Sequence, residues 1–562
     1  MQPNSVARPR VTLPVITITI LFILSFLVCA KFNAIDVSAI ESDAAQVVLN
    51  AVVRNRLMAV AAAVSAVVVL SALLVPVLLR AAGATPLRAV AMVATALLAF
   101  AAGVLPQLTS VLPTEALHGF LYDGGVLLVV LLLLVFEALL LLAAAPRRGG
   151  SESTSAVAGM RAALFLFMLA EELSRSFLPL YTRELYTPVP GLSEALMMGL
   201  PIGLFMALVA VFTPFAGTWA DRFGSRRTLL LGTLPAVAGF AGTALAGSLA
   251  ELLLWRSACA LGYAVMFIGA QGFIARHTPA GQRARGMAQF VAAVVVAGLC
   301  GAPLGGILAD LLGYRATFAA SALLALAAAV AAATLLPADR AERARNRGFR
   351  LGEVKGLLAN PRFVALLLFS SVPTKLMLTG YLFYLVPVSL HAAGETPAGI
   401  GRLMMTYGLI IVLFGPWVSR LADRTGRHAL FAGIGGLVGG AGTLAILQDP
   451  GVPGILAGIA ALGVAHALNN ATQLALVPEV CRRECARMGE SSVFAVYRLL
   501  ERGGSVAGPL LAAAVADRFG THAALVALGV LGMLCGTAFC AVFLLAPAAS
   551  PASRTAGEGA AP

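Results

Sequence analysis

Charge is scarce in this chain. Only 12% of its 562 residues are Asp, Glu, Lys or Arg, and 60% are hydrophobic, against roughly 45–50% apolar in soluble proteins. A soluble globule of this length is excluded, and the chain reads as an all-α integral membrane protein. Cysteine is scarce too, with seven scattered residues, so there is no disulfide framework. Cys481 and Cys485 lie close together, but no His or further Cys stands beside them, and neither a metal nor another cofactor is expected. No paired carboxylates or His constellation are placed for chemistry, so no catalytic residue is assigned and an intramembrane enzyme is the weakest class. The net charge of +13 would suit nucleic acid. Its arginines, however, fall mainly in short loops between apolar runs, the positive-inside pattern of a multi-pass cytoplasmic membrane protein, and argue against that partner.

Taken in order, residues 1–145 read as an appended region of four membrane helices. Arg8 and Arg10 precede an apolar run over 11–30, which is long for a signal peptide and suits an uncleaved anchor. Residues 31–56 are expected outside as a helical connector, and further spans fall near 57–79, 88–106 and 125–145. The Gly- and Ser-rich stretch 146–157 reads as a linker. A first group of six spans occupies 158–336, near 159–180, 194–216, 228–248, 250–273, 286–308 and 316–336. A basic cytoplasmic connection covers 337–361, and its end (Phe349, Leu351, Val354, Leu357 and Leu358) has the spacing of a surface helix. A second group of six occupies 362–546, near 363–390, 397–418, 429–447, 452–475, 489–514 and 521–546. The tail, 547–562, is expected to be disordered. Both termini are expected in the cytoplasm of a bacterial cell.

The two groups of six repeat one another. Gly217-Thr-Trp-Ala-Asp221-Arg222-Phe-Gly224-Ser-Arg226-Arg227 lies between apolar runs, and about two hundred residues later Asp423-Arg424-Thr425-Gly426-Arg427 repeats it. Gly217 permits close backbone approach and Gly224 a tight turn, while Asp221 can cap a helix N-terminus. Ala309-Asp310 with Gly313 pairs likewise with Ala516-Asp517 and Gly520. The paired loops resemble those between helices 2 and 3 and helices 8 and 9 of the major facilitator superfamily. That resemblance implies two pseudo-symmetric six-helix bundles behind the four appended helices, with the loop residues gating the exchange between inward and outward states. Gly301-Ala302-Pro303-Leu-Gly305-Gly306 resembles the helix-5 signature of antiporters in this superfamily and points toward export, although the same small residues also serve plain helix packing.

Ionisable groups at membrane depth cost roughly 2.5–3.5 kcal/mol each on insertion scales, so each is a functional candidate. Glu171, Glu172 and Arg175 lie near the middle of the first span of the main body. Glu171 can reach Arg175 at i,i+4 and Glu172 can reach it at i,i+3, so a proton site and a static salt bridge are both open readings. Lys375 follows Pro373 in the seventh span and lacks an acid nearby in sequence, which suits substrate contact. Arg498, Glu501 and Arg502 sit at i,i+3,i+4 spacing in the eleventh, where Arg498 and Glu501 can satisfy each other. His466, Asn469, Asn470 and Gln473 in the tenth can line a cavity or serve helix contacts. Met197, Met198, Met404 and Met405 read as core filling or an adaptable wall.

The resemblance implies that helices 1, 4, 7 and 10 line a central cavity. Arg256 and Gly262 match the ends of the helix-4 motif associated with proton coupling, with Cys259 and Ala260 departing from its usual pattern. A carboxylate of the first span opposite Arg256 is then similar to proton-coupled antiporters. Five cations against three acids leave two positive charges, which favours a substrate that is anionic or zwitterionic with an apolar portion. The expectation is a proton-coupled, alternating-access transporter of a small organic molecule. A multidrug-cation:proton antiporter and a sensor with a transporter-like body are the alternatives. Protons, lipid and a regulatory partner for the front helices complete the expected partners.

Overall fold

Lipid offers a backbone amide no hydrogen-bond partner, so an apolar chain crosses it as helices that satisfy themselves. The computed structural model describes residues 152–545, apart from 189, 192, 279–282 and 338–350, and among the described residues there is helix and no strand. The chain divides into two compact units, Met1–Ala158 and Gly159–Pro562. The front helices expected over 1–145, residues 146–151 of the expected linker, the basic stretch 338–350 and the tail after 545 lie outside the described residues, while residues 152–157, also read as linker, are the first turns of α1.

The main body runs through α1 (Glu152–Glu172), α2 (Leu178–Glu184), α3 (Glu194–Phe223), α4 (Ser225–Leu245), α5 (Leu249–His277), α6 (Arg283–Leu312) and α7 (Tyr314–Leu335). After the short α8 (Leu351–Leu358) come α9 (Pro361–Ala392), α10 (Pro397–Thr425), α11 (His428–Leu447) and α12 (Val452–Val480). The chain then runs through α13 (Arg482–Met488), α14 (Glu490–Phe519) and α15 (Thr521–Cys540). Ten of these are long and apolar enough to cross a membrane. The two long helices outside that set, α1 and α14, carry the intramembrane charges Glu171, Glu172, Arg498, Glu501 and Arg502.

The two groups of six pack alike. In the first, α4 lies on α5 and α7, and α3 on α5. In the second, α11 lies on α12 and α15, and α10 on α12. Between the groups, α3 meets α14 and α6 meets α10, a pair of matching seams.

The turns are tighter than the sequence suggests. The stretch 217–227 reads as a loop, but α3 continues to Phe223 and α4 starts at Ser225. Gly224 alone makes the turn, at φ 83° and ψ 151°, and Gly313, Gly489 and Gly520 do the same at closely similar angles. That region of backbone space is essentially restricted to glycine. Gly224 also occupies the N-cap position of α4, which has no side-chain cap. Asp221 therefore lies in the last turn of α3 and not in a loop ahead of α4. In the second copy α10 runs to Thr425 and ends on the left-handed Gly426.

The first span is also broken where the sequence reads as continuous. α1 stops at Glu172, and Leu173–Phe177 forms a turn, with Arg175 N–H donating to Glu172 O and Phe177 N–H to Ser174 O. Pro179 cannot donate to the carbonyl four residues back, and its ring crowds it. Gly305 of α6 presses on this turn, where a Cβ would overlap the Leu173 carbonyl, and Gly301 stands against Glu172. α9 is irregular as well. Wide π turns over Leu367–Ser371 and Met377–Leu385 flank the segment holding Pro373 and Lys375.

The seams close at the end of the helices away from Gly224. Gly199 of α3 lies against the Pro509 carbonyl of α14, Gly306 of α6 against Pro397 and Ala398 of α10, and Gly401 of α10 against Ala302 and Pro303. Small residues let backbones touch there. Two polar contacts join the halves at the same end. Asp310 Oδ2 accepts from Ala398 N–H at 2.9 Å, and Tyr384 donates its hydroxyl to Ala195 O at 2.8 Å. Toward the Gly224 end Val211, Phe215 and Phe223 of α3 are exposed, as are Leu413, Phe414 and Trp417 of α10.

Candidate functional site

A buried charge is tolerated when it is paired and hydrogen-bonded, and the centre of this molecule obeys that rule with two exceptions. Glu171 of α1 and Arg256 of α5 form a two-pronged pair, Nη2 to Oε1 at 2.5 Å and Nη1 to Oε2 at 3.2 Å. They are only 1% and 2% exposed. The Arg256 guanidinium also lies 4.7 Å from the centre of the Phe205 ring, a cation–π contact. The adjacent Glu172 turns to Arg175 instead, at 3.0 and 3.1 Å, and is 18% exposed. Spacing alone allows either acid to reach Arg175, and the structure divides them between two arginines. Arg175 then lies 4.3 Å from the centre of the Phe383 ring on α9, so the first half touches the second through it.

On α14, Arg498 donates to Glu501 at 2.9 Å. Every acid of the central group is thereby taken. Lys375 of α9 and Arg502 of α14 are half-buried and have no carboxylate partner among the described residues. Lys375 is within electrostatic reach of the His466 ring.

The polar residues of α12 behave differently from one another. Gln473 donates to Ser370 Oγ at 2.9 Å and Thr374 Oγ1 at 3.1 Å, and Asn469 donates to Thr374 Oγ1 at 3.2 Å. They tie α12 to α9 as a helix-to-helix polar ladder. His466 is buried edge-on to Tyr407 of α10, 5.4 Å between centroids, with Nδ1 3.1 Å from Leu462 O. Asn470, the neighbour of Asn469, is exposed. Met197, Met198 and Met404 are buried in helix contacts.

At the other end, Arg226 donates to Ala333 O of α7, and the Arg222 guanidinium lies over the Phe223 ring. Arg227, Asp423, Arg424, Gly426 and Arg427 are exposed. No group of three His, Cys, Asp or Glu among the described residues could hold a metal ion.

Sequence reasoning misses the aromatic side of the centre. Phe205, Tyr263, Phe267 and Phe290 form a chain of ring contacts from α3 through α5 to α6. Tyr263 and Phe267 lie two and three helical turns beyond Arg256, at i+7 and i+11. That spacing is the signal that could have found them.

The family model described as Major Facilitator Superfamily matches residues 160–489 and, in a second overlapping match, 376–562. The chain is 28% identical to a chloramphenicol resistance protein of Streptomyces lividans over 362 residues, covering 60% of this chain and 88% of that one. It is 27% identical to the multidrug resistance protein MdtG of Citrobacter koseri over 371 residues, 64% and 87% of the two chains. In fold it is similar to a bacterial homolog of the human lysosomal transporter Spinster in an inward-facing, occupied conformation. The TM-score is 0.58 at 16% identity, with 70% of this chain and 97% of that chain covered.

Proposed function

The chain belongs to the major facilitator superfamily, and from that premise we propose that it exports a small organic anion or zwitterion in exchange for protons. It is a multi-pass membrane transporter and not an enzyme, acting on small molecules as a secondary transporter. The finer reading rests on one observation. Glu171, Glu172 and Glu501 are each held by an arginine, which leaves Lys375 and Arg502 as cations of the centre with no salt-bridged carboxylate among the described residues. An unpaired cation in a low-dielectric interior favours an anionic partner.

Proton coupling is assigned to α1. Glu172 is 18% exposed whereas Glu171 is sealed against Arg256, and on this reading Glu172 takes up the proton and releases Arg175. Arg175 also contacts α9, which gives protonation a route to the second half. Relatives named for resistance to chloramphenicol and to multiple drugs support export of an organic compound. With the arginine-bearing turns in the cytoplasm, the protein lies in the cytoplasmic membrane and the conformation described is open inward.

Counterflow in proteoliposomes tests this reading with labelled benzoate, its neutral amide and tetraphenylphosphonium. Wild type is expected to exchange benzoate, and Lys375→Ala or Arg502→Ala to weaken it about tenfold, the worth of a hydrogen bond to a charged group. The neutral amide is expected to change little. Preferential exchange of tetraphenylphosphonium by the wild type would replace the anionic reading with the multidrug-cation one.

A further inference from the structure

The second group of helices encloses a small cavity bounded by α9, α11, α12 and α15. Its volume is about 20 Å³, and roughly 10–15 Å³ is the least that holds one water molecule. Two residues of α12, His466 and Asn469, line it. They stand three positions apart on one helix face, and each is only 2% exposed.

Hydrogen bonding fixes what each of them shows to the cavity. The Leu462 carbonyl, 3.1 Å from His466 Nδ1, can only accept. Nδ1 therefore carries the proton, and Nε2 of the neutral ring is an acceptor. Thr374 spends its one hydroxyl proton on Ser370 O at 2.7 Å, so toward Asn469, at 3.2 Å, it can only accept. That places the Asn469 amide nitrogen against α9 and leaves Oδ1 on the side of α11, where a Cβ on Gly435 would overlap it. Gly435 lines the same cavity. His466 Nε2 and Asn469 Oδ1 are both sealed from solvent, and neither has a hydrogen-bond partner among the described residues. A buried acceptor in that condition costs free energy, and two of them on one cavity are best served by a single molecule with two donors.

α9 supplies an independent sign. Phe369 and Pro373 border the cavity too, and Pro373 has no N–H to give to the Phe369 carbonyl four residues back. Membrane helices carry such prolines where neighbouring side chains and ordered waters make up for the missing bond.

We propose that this cavity is a binding site for one water molecule, whose two protons go to His466 Nε2 and Asn469 Oδ1 beside the irregular part of α9. A cation fits poorly, because no Asp or Glu lines the cavity to compensate it. The site gives His466 a fixed tautomer and a role apart from any substrate, so it stands independently of the anionic reading above.

The test joins a density map of the wild-type protein, fine enough to show ordered water, to a double-variant melting cycle. The map is expected to show one peak within about 2.7–3.2 Å of both atoms. An empty cavity in a map that shows other buried waters, a peak touching only one of the two atoms, or density larger than a water overturns the site. In the cycle, His466→Phe and Asn469→Leu each take one anchor from the water and leave the other acceptor alone, so each is expected to lower the melting temperature. The double variant removes both acceptors, and its loss is expected to be smaller than the sum of the two. Losses that simply add, or a His466→Phe protein that melts above wild type, would mean that no donor joins the two atoms and would overturn the proposal.

Discussion

A carboxylate of one half caps a helix of the other: Asp310 Oδ2 on α6 accepts the backbone N–H of Ala398 at the start of α10. The first turn of α10 is then fully accounted for. Pro397 has no N–H, Ala398 is held by Asp310, and Gly399 donates to the N-cap Thr396 Oγ1 at 3.2 Å. Helices leave their first N–H groups unsatisfied unless such partners exist. This one exists only while α6 and α10 are together.

Asp310→Ala should therefore loosen the closed end. A lost cap costs about 1 kcal/mol, which multiplies the population of the opposite state about fivefold. Spin labels placed across the α6–α10 seam measure the distance distribution directly. A longer-distance component should grow in Asp310→Ala while the overall fold and expression hold. An unchanged distribution would make the contact incidental.

The two adjacent acids of α1 should separate by phenotype. Glu171→Gln leaves Arg256 buried without its counter-charge, a defect worth about 3–5 kcal/mol, and the thermal transition of the purified protein should fall markedly. Glu172→Gln should fold normally and retain exchange, yet lose transport driven by a pH gradient. Full gradient-driven activity in Glu172→Gln would move the proton elsewhere.

Gly305→Ala should place a methyl group on the Leu173 carbonyl, where α1 breaks. Overpacking of this kind costs about 1–3 kcal/mol, so the melting temperature drops and transport falls with it. Gly298→Ala on the same helix meets nothing within 4 Å and serves as the control. Equal effects of the two would mean that α1 yields freely at the break.

The twofold repeat, the helical class and the family were all legible in the residues, because turn glycines and loop arginines recur at fixed intervals. Pairs within a helix, such as Arg498 with Glu501, follow from i,i+3 spacing. Partners on different helices do not. Spacing along α1 cannot choose between Arg175 and an arginine 85 positions away, so the division of Glu171 from Glu172 is visible only in three dimensions. Helix lengths were underestimated at 217–227 because polar residues read as loop, whereas a single glycine made the turn. The break after Glu172 depends on Gly305, a residue of another helix, and the stacked rings of α5 were submerged in an apolar run that reads as core.

The seam of backbone on backbone at Gly199, Gly306 and Gly401 bears on speed. Contacts without long side chains have no rotamers to rearrange, so parting and rejoining carries little friction from repacking. Among the described residues, the polar contacts holding the closed end include the carboxylate on Ala398 and the hydroxyl of Tyr384 on Ala195. On the transport reading proposed above, these two groups at the rim lengthen the dwell of the closed end, while the charged centre bears on what is carried. Turnover and selectivity can drift separately in such a protein, one adjusted without disturbing the other.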